Sequence, residues 1–278
     1  MYAKMSSIIC LTLFLAFPAF AAEPVFDRVM KTKTINGGYF VYPPYITKDT
    51  NTGKFSGINY DIMEAVARNL GLKLNWSAEL GLGDVATGLN TGKADVMCAS
   101  LWPSPDRLAT MTYTMPTFYD VNYAFVRADD KRFDGDLQKA NQKEIKVAGV
   151  EGDVSADLAR EKLPHAVPQF LPQTASIGET LLYLTTKKAE IVFVDEAIVN
   201  DFSKNNPNKL RKVEGIGPVR VFGEHITLPL GEYHLRDMLN VSLQQLVNDG
   251  VIQAITEKYS KEYHSRFIAP AKSFTAAE

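Results

Sequence analysis

Arg107 follows Ser104, Pro105 and Asp106, shortly after the apolar run Val96-Met97-Cys98-Ala99. Serine before proline is an N-cap followed by a first helical residue, and Asp106 is a first-turn acid. The chain therefore leaves a strand, makes a rigid loop through Ser100, Trp102 and Pro103, and starts a helix whose first turn carries a guanidinium. Free backbone N–H groups, a helix N-terminus and an arginine gathered at one point suit a carboxylate. A capped surface helix with a solvated arginine fits the same residues, so the rest of the chain has to decide.

Other polar groups occupy matching places, just after or beside apolar runs. Tyr39, Tyr42 and Tyr45 flank the run 39–42; Gly152, Asp153 and Ser155 follow 145–150; Asp195 and Glu196 follow 191–194. In open α/β sheets, ligands bind outside the carboxyl ends of the strands. Each group also has a plain structural alternative, Asp195 and Ser155 as helix caps and the tyrosines as half-buried core. Enzyme signatures are missing. The stretch from Gly88 to Lys93 is one residue short of a phosphate-binding loop, and no Gly-x-Ser-x-Gly elbow occurs. His165, His225, His234 and His264 lack metal-ligand spacing, and Cys98 on an apolar strand reads as a buried, inert thiol. No catalytic residue, metal or cofactor is expected.

Positioning these groups takes a β/α framework. Ile58, Ile62, Ala65, Val66 and Leu70 recur at helical spacing over 57–70, and Gly71 closes the helix. A strand at 72–76, a short helix at 84–90 and a strand at 94–99 complete a β-α-β-α-β unit after 39–42, which calls for a parallel sheet. Strands at 113–118 and 123–126 precede a charged excursion at 127–143. The plan then repeats: strand 145–150, helix 155–163, strand 166–170, helix 177–185, strand 191–194. The repetition predicts two similar α/β lobes rather than one continuous sheet. Beyond it lie a loop with an edge strand (203–220), a strand at 225–230, helices at 236–246 and 251–259, and a mobile tail from 267 to 278.

Residues 1–21 read as a cleaved export signal, with Lys4, an apolar core at 8–17 and the small-x-small site Ala19-Phe20-Ala21. The apolar run falls short of the roughly 18 residues that span a bilayer. Thirty basic against 32 acidic residues give a net charge of −2 over 278 residues, without a basic stripe. Nucleic acid and anionic membrane are thereby excluded as expected partners. Cys10 leaves with the signal, so the exported chain keeps Cys98 alone, forms no internal disulfide and relies on its core.

Ordered motifs run along nearly the whole mature chain: Tyr42-Pro43-Pro44-Tyr45; Gly57-Ile58-Asn59-Tyr60-Asp61-Ile62; Leu89-Asn90-Thr91-Gly92-Lys93-Ala94-Asp95-Val96; Ser104-Pro105-Asp106-Arg107; Val147-Ala148-Gly149-Val150 with Gly152; Ala189-Glu190-Ile191-Val192-Phe193-Val194-Asp195; and Asn248-Asp249-Gly250. In this order they resemble the family 3 extracellular solute-binding proteins, the periplasmic receptors of polar amino-acid ABC importers. The resemblance implies a two-lobed periplasmic binding protein of type II, α/β in class. Lobe 1 would comprise 22–120 and 223–278 and lobe 2 would comprise 121–222, with crossings near 119–123 and 217–225. It implies that Arg107 pairs with a ligand α-carboxylate, Asp195 receives the α-ammonium, Tyr42 covers the ligand and Ser100 lies on the carboxylate-binding loop.

Departures from the pattern bear on the ligand. Trp102 stands where a hydroxyl residue is usual, removing a carboxylate donor and offering an aromatic wall. The lobe 2 Gly-Thr-Thr is Gly152-Asp153-Val154, with Ser155 one place late. Tyr39 stands at an acidic position used for basic side chains, which argues against lysine or arginine as the ligand. The expected protein is a monomeric periplasmic receptor that captures a small carboxylate-bearing solute, an amino acid or relative, by hinge closure and hands it to an ABC permease. Two alternatives remain: a periplasmic dehydratase-like enzyme on the same fold, and an accessory or sensor binding protein.

Overall fold

The computed structural model of the chain describes residues 23–274; the expected export signal lies outside them. The chain begins with helix α1 (Val25–Thr32) and strand β1 (Thr34–Tyr39). A small hairpin, β2 (Thr47–Lys48) and β3 (Phe55–Ser56), leads to α2 (Ile58–Asn69). Then come β4 (Lys73–Glu79), α3 (Val85–Asn90), β5 (Val96–Leu101) and the single turn α4 (Pro105–Leu108). The long strand β6 (Met111–Arg127) leads into β7 (Lys146–Val150), α5 (Val154–Lys162), β8 (Val167–Leu171), α6 (Ile177–Thr185), β9 (Ile191–Asp195) and α7 (Glu196–Asn205). Strands β10 (Leu210–Lys212) and β11 (Arg220–Pro229) and helices α8 (Tyr233–Asn248) and α9 (Val251–Glu262) complete it.

Apart from α1, for which no helix was expected, the helices form where the spacing places them, because an apolar face is covered: α2 buries Ile58, Ile62, Met63, Ala65 and Val66. Strand β9 is buried along its whole length and β5 almost so, as expected of strands covered by helices on both faces. Strand β1, however, begins at Thr34, five residues before the expected strand, and ends at Tyr39. Its glycines conceal it, yet they are required: a Cβ on Gly37 would lie 2.5 Å from Cys98 Sγ and one on Gly38 3.0 Å from Leu80. Phe40, Val41 and Tyr42 are thereby freed from the strand and line the cleft beyond its carboxyl end.

The expectation of two separate sheets is corrected. Eight strands follow one hydrogen-bonded path, β4-β1-β5-β11-β6-β9-β7-β8, with β10 added on β6. Strand β6 is 17 residues long and does the joining: its start pairs with the end of β11, and its far end with β9. The two segments read as 113–118 and 123–126 are one strand because the polar residues between them, Asp120 and Asn122, pair with Phe222 and Arg220 of β11. Pro116 is accommodated at a register shift opposite His225. Parallel β/α units flank this ribbon on either side, giving the two lobes.

The tail is also better anchored than composition suggests. Phe267 is buried edge-on against Tyr45 and Phe118, and Ile268 exchanges backbone hydrogen bonds with Tyr119 at 2.7 and 2.9 Å. Tyr119 pairs with Gly223 of β11 on one side, and the other edge of β6, which β9 joins only from Asn122, supplies those partners.

Candidate functional site

A cavity of about 410 Å³ opens between the lobes beside the crossing strands. Six of the eight residues expected from sequence line it: Arg107, Asp195, Tyr42, Trp102, Ser100 and Asp153. Its apolar walls include Phe40, Leu80, Val154 and Phe222.

The Ser104 cap is present: its hydroxyl accepts the Arg107 N–H at 3.5 Å, and the helix it starts runs only to Leu108. The Arg107 guanidinium donates to the Trp102 carbonyl at 3.1 Å and, across the cleft, to the Gly152 carbonyl at 2.6 Å. Its Cζ lies 5.0 Å from the Trp102 ring, which packs in turn against Phe222 at 5.2 Å. Gly152 has φ +76°, and a Cβ there would lie 2.9 Å from Gln173 Nε2, so glycine is what lets this carbonyl meet the arginine. Of the five guanidinium N–H donors, two are used, and three remain for a carboxylate.

Opposite the arginine stands a group of acids. Asp195 is the last residue of β9 and adjoins α7, but its carboxylate does not cap the helix. It accepts from Tyr45 at 2.8 Å and from Asn122 instead, with the carboxylate only 6 % exposed as part of the residue. Asp120 on β6 also takes a hydrogen bond from Tyr45 and one from the Val121 N–H at 2.8 Å. Tyr45 has a single hydroxyl proton, so bonds to both carboxyls require a proton on one of them. Burial pushes the Asp120 carboxyl up to about 6. Asp195 is pushed well above the carboxylate range by burial and then by the charge of Asp120, and Glu224 by burial and the same neighbour. The Tyr42 phenol rises for the same causes, burial first and then Asp153, Asp195, Asp120 and Glu224, which shows the sign of the field it faces.

Tyr39 and Ser155 lie outside the cleft lining. Tyr39 ends β1 beneath an aromatic cluster with Phe55 and Trp76, its hydroxyl held by Lys48 at 2.8 Å and Glu79 at 3.2 Å. The identity of residue 39 therefore does not argue against a basic ligand, as the sequence suggested. Ser155 is fully buried within α5, one residue too far along to face the cleft; Asp153 takes the cap position and accepts the Ser155 N–H at 2.9 Å. The Ser155 hydroxyl accepts the buried Val150 N–H at 3.1 Å and donates to Asp153 at 2.6 Å. Ser155→Ala leaves that N–H without a partner and is expected to cost about 1–3 kcal/mol in urea unfolding. Ligand affinity should stay within about twofold, because Asp153 in the cleft keeps its bond from the residue 155 N–H. Ser100 lines the cleft, but its hydroxyl donates to Asn59 at 2.9 Å, so it faces a ligand chiefly as an acceptor.

Asn122, Glu224 and Gln173 line the site without having been expected, and Asp120 stands behind it. The polar interruptions of β6 were the available signal for Asp120 and Asn122.

The sequence matches the family described as bacterial extracellular solute-binding proteins, family 3, over residues 37–262. It is 28 % identical over 250 residues to a probable amino-acid ABC transporter-binding protein of Haemophilus influenzae, covering 87 % of this chain and 91 % of that one. Identity to a putative ABC transporter arginine-binding protein 2 of Escherichia coli is 23 %, over 78 % of this chain and 86 % of the relative. The fold matches an ancestral amino acid-binding protein, a precursor of cyclohexadienyl dehydratase, with a TM-score of 0.73 at 22 % identity, covering 85 % and 99 % of the two chains.

Proposed function

We propose that this chain, which belongs to the bacterial extracellular solute-binding proteins, family 3, binds an amino acid between its lobes and delivers it to an ABC importer from the periplasm. The observation carrying this reading is the meeting of Arg107 and Asp195 in one cleft from opposite lobes. Arg107 takes the α-carboxylate through its free N–H groups, Asp195 draws the α-ammonium, and Tyr42, Trp102 and Phe222 enclose the body of the solute. A zwitterion spanning both charges binds the closed arrangement better than the open one, which is the condition for ligand-driven closure. The lobes are taken as 22–120 with 223–278, and 121–222, preceded by the export signal 1–21. The chain acts as a monomer beside its permease. Among the described residues, no helix is long and apolar enough to cross a membrane.

Isothermal titration of the purified chain with amino acids and organic acids tests the reading. Saturable heat with at least one amino acid is expected; silence across the whole panel overturns it. A dehydratase-like activity is the second reading. Its support is the buried acids facing an arginine, which suit general-acid chemistry on a carboxylate substrate, and the likeness to a dehydratase precursor. Product formation from prephenate or arogenate would select it.

A further inference from the structure

Arg107 is the one cation among the residues lining the cleft, against Glu79, Asp153, Asp195 and Glu224. Two of these acids are already served: Glu79 by Lys48 at 3.3 Å, and Asp153 by the N–H and hydroxyl of Ser155. Asp195 is held by Tyr45 and Asn122, and the Tyr45 contacts call for one proton between Asp195 and Asp120. Glu224 is different. It lines the cleft, and its carboxylate receives no hydrogen bond or ion pair among the described residues. Independently, Asn122 is 1 % exposed and lines the same cavity, with its Nδ2 committed to Asp195 and its Oδ1 buried without a donor. A buried acceptor without a donor is costly unless a ligand supplies one.

We propose that Glu224 forms a second cation subsite in the cleft, apart from the ammonium site at Asp195 and Asn122, so that the solute is an amino acid with a positively charged side chain. The inference rests on the amino-acid reading above and adds the side-chain class. A neutral zwitterion matches Arg107 and Asp195, and its ammonium can also serve the Asn122 oxygen beside Asp195, but it leaves Glu224 of β11, opposite Phe118, unmatched. A side-chain ammonium or guanidinium supplies both the charge and the N–H donors, while its methylene stem lies along Trp102, Phe222 and Tyr42.

The test is calorimetric titration with two matched pairs, L-arginine against L-citrulline and L-lysine against L-norleucine, on the native chain and on Glu224→Gln. The native chain is expected to prefer the charged member of each pair by about 30-fold or more, in line with a desolvated charge pair. Glu224→Gln, which keeps shape and removes charge, should bring that ratio below about threefold, with the neutral member changing little. Equal binding of charged and neutral members by the native chain overturns the subsite and leaves the amino-acid reading standing. A ratio unmoved in Glu224→Gln also overturns it, whereas the absence of binding by any amino acid removes both. The native ratio stands on its own should the variant fail to fold.

Discussion

Arg107→Ala is expected to weaken amino-acid binding by about 100- to 1,000-fold, the range for removing one side of a hydrogen-bonded charge pair in a desolvated site. Two losses combine. The carboxylate loses its planar donor pair, and the lobes lose the bond from Arg107 to the Gly152 carbonyl at 2.6 Å. The first acts on the ligand and the second on closure. Arg107→Lys separates them: it retains a positive charge but not the fork, so it should recover only part of the loss. Because Arg107 is half-buried on a one-turn helix, the unliganded protein should unfold within about 1 kcal/mol of the native chain. Titration with the best-binding amino acid from the panel decides the matter. An affinity for Arg107→Ala within threefold of native would show that the arginine merely braces the loop at Trp102.

Asp120→Asn is expected to stabilise the unliganded protein at pH 8 by about 1–3 kcal/mol, a gain rare for a core substitution. Asp120 is 2 % exposed, and burial raises its carboxyl from 3.8 to about 6. The folded chain therefore holds this proton more tightly than the unfolded chain. The associated stability is fully present below about pH 4 and is lost as pH rises through about 6. Above that, the buried negative charge faces Asp195, Glu224 and Tyr45, with Arg107 the one cation lining the cleft. Asparagine keeps an acceptor for the Val121 N–H or Tyr45 and removes the charge. Urea unfolding at pH 4 and pH 8 should show the two chains converging at pH 4 and the variant ahead at pH 8. If the native chain is equally stable or better at pH 8, the charge of Asp120 is compensated within the fold. The proposed cationic solute would relieve the same repulsion, so stability given up by the acids of the crossing strands would return as binding.

Much of the architecture was legible locally. Helix α6 and the Ser104 cap follow from spacing and capping chemistry confined to a few neighbouring residues. The order of motifs along the chain identified the family resemblance, and with it Arg107 and Asp195 as candidates. Where local chemistry was ambiguous, register decided. Asp195 and Ser155 were equally good caps on paper; in the fold, Asp195 turns toward Tyr45 and Ser155 turns inward to Val150. A shift of one residue along α5 is enough to separate Asp153, in the cleft, from Ser155, in the core.

The amino-acid sequence by itself determined most helices and most strands, that the chain has two β/α halves, and that an arginine meets the end of a buried strand. Only the tertiary structure decided the character of the cleft around that arginine. Asp120 and Glu224 are far apart in sequence and become neighbours because β6 and β11 pair antiparallel across the crossing, Phe222 opposite Asp120 and Glu224 opposite Phe118. Asp195 joins them because the end of β9 pairs with Asn122. Charge density of this kind arises from strand register between distant segments, and no local spacing encodes it. On the proposed reading, the loop from Ser100 to Arg107 holds the carboxylate, and the acids gathered by the crossing strands select what else the solute carries.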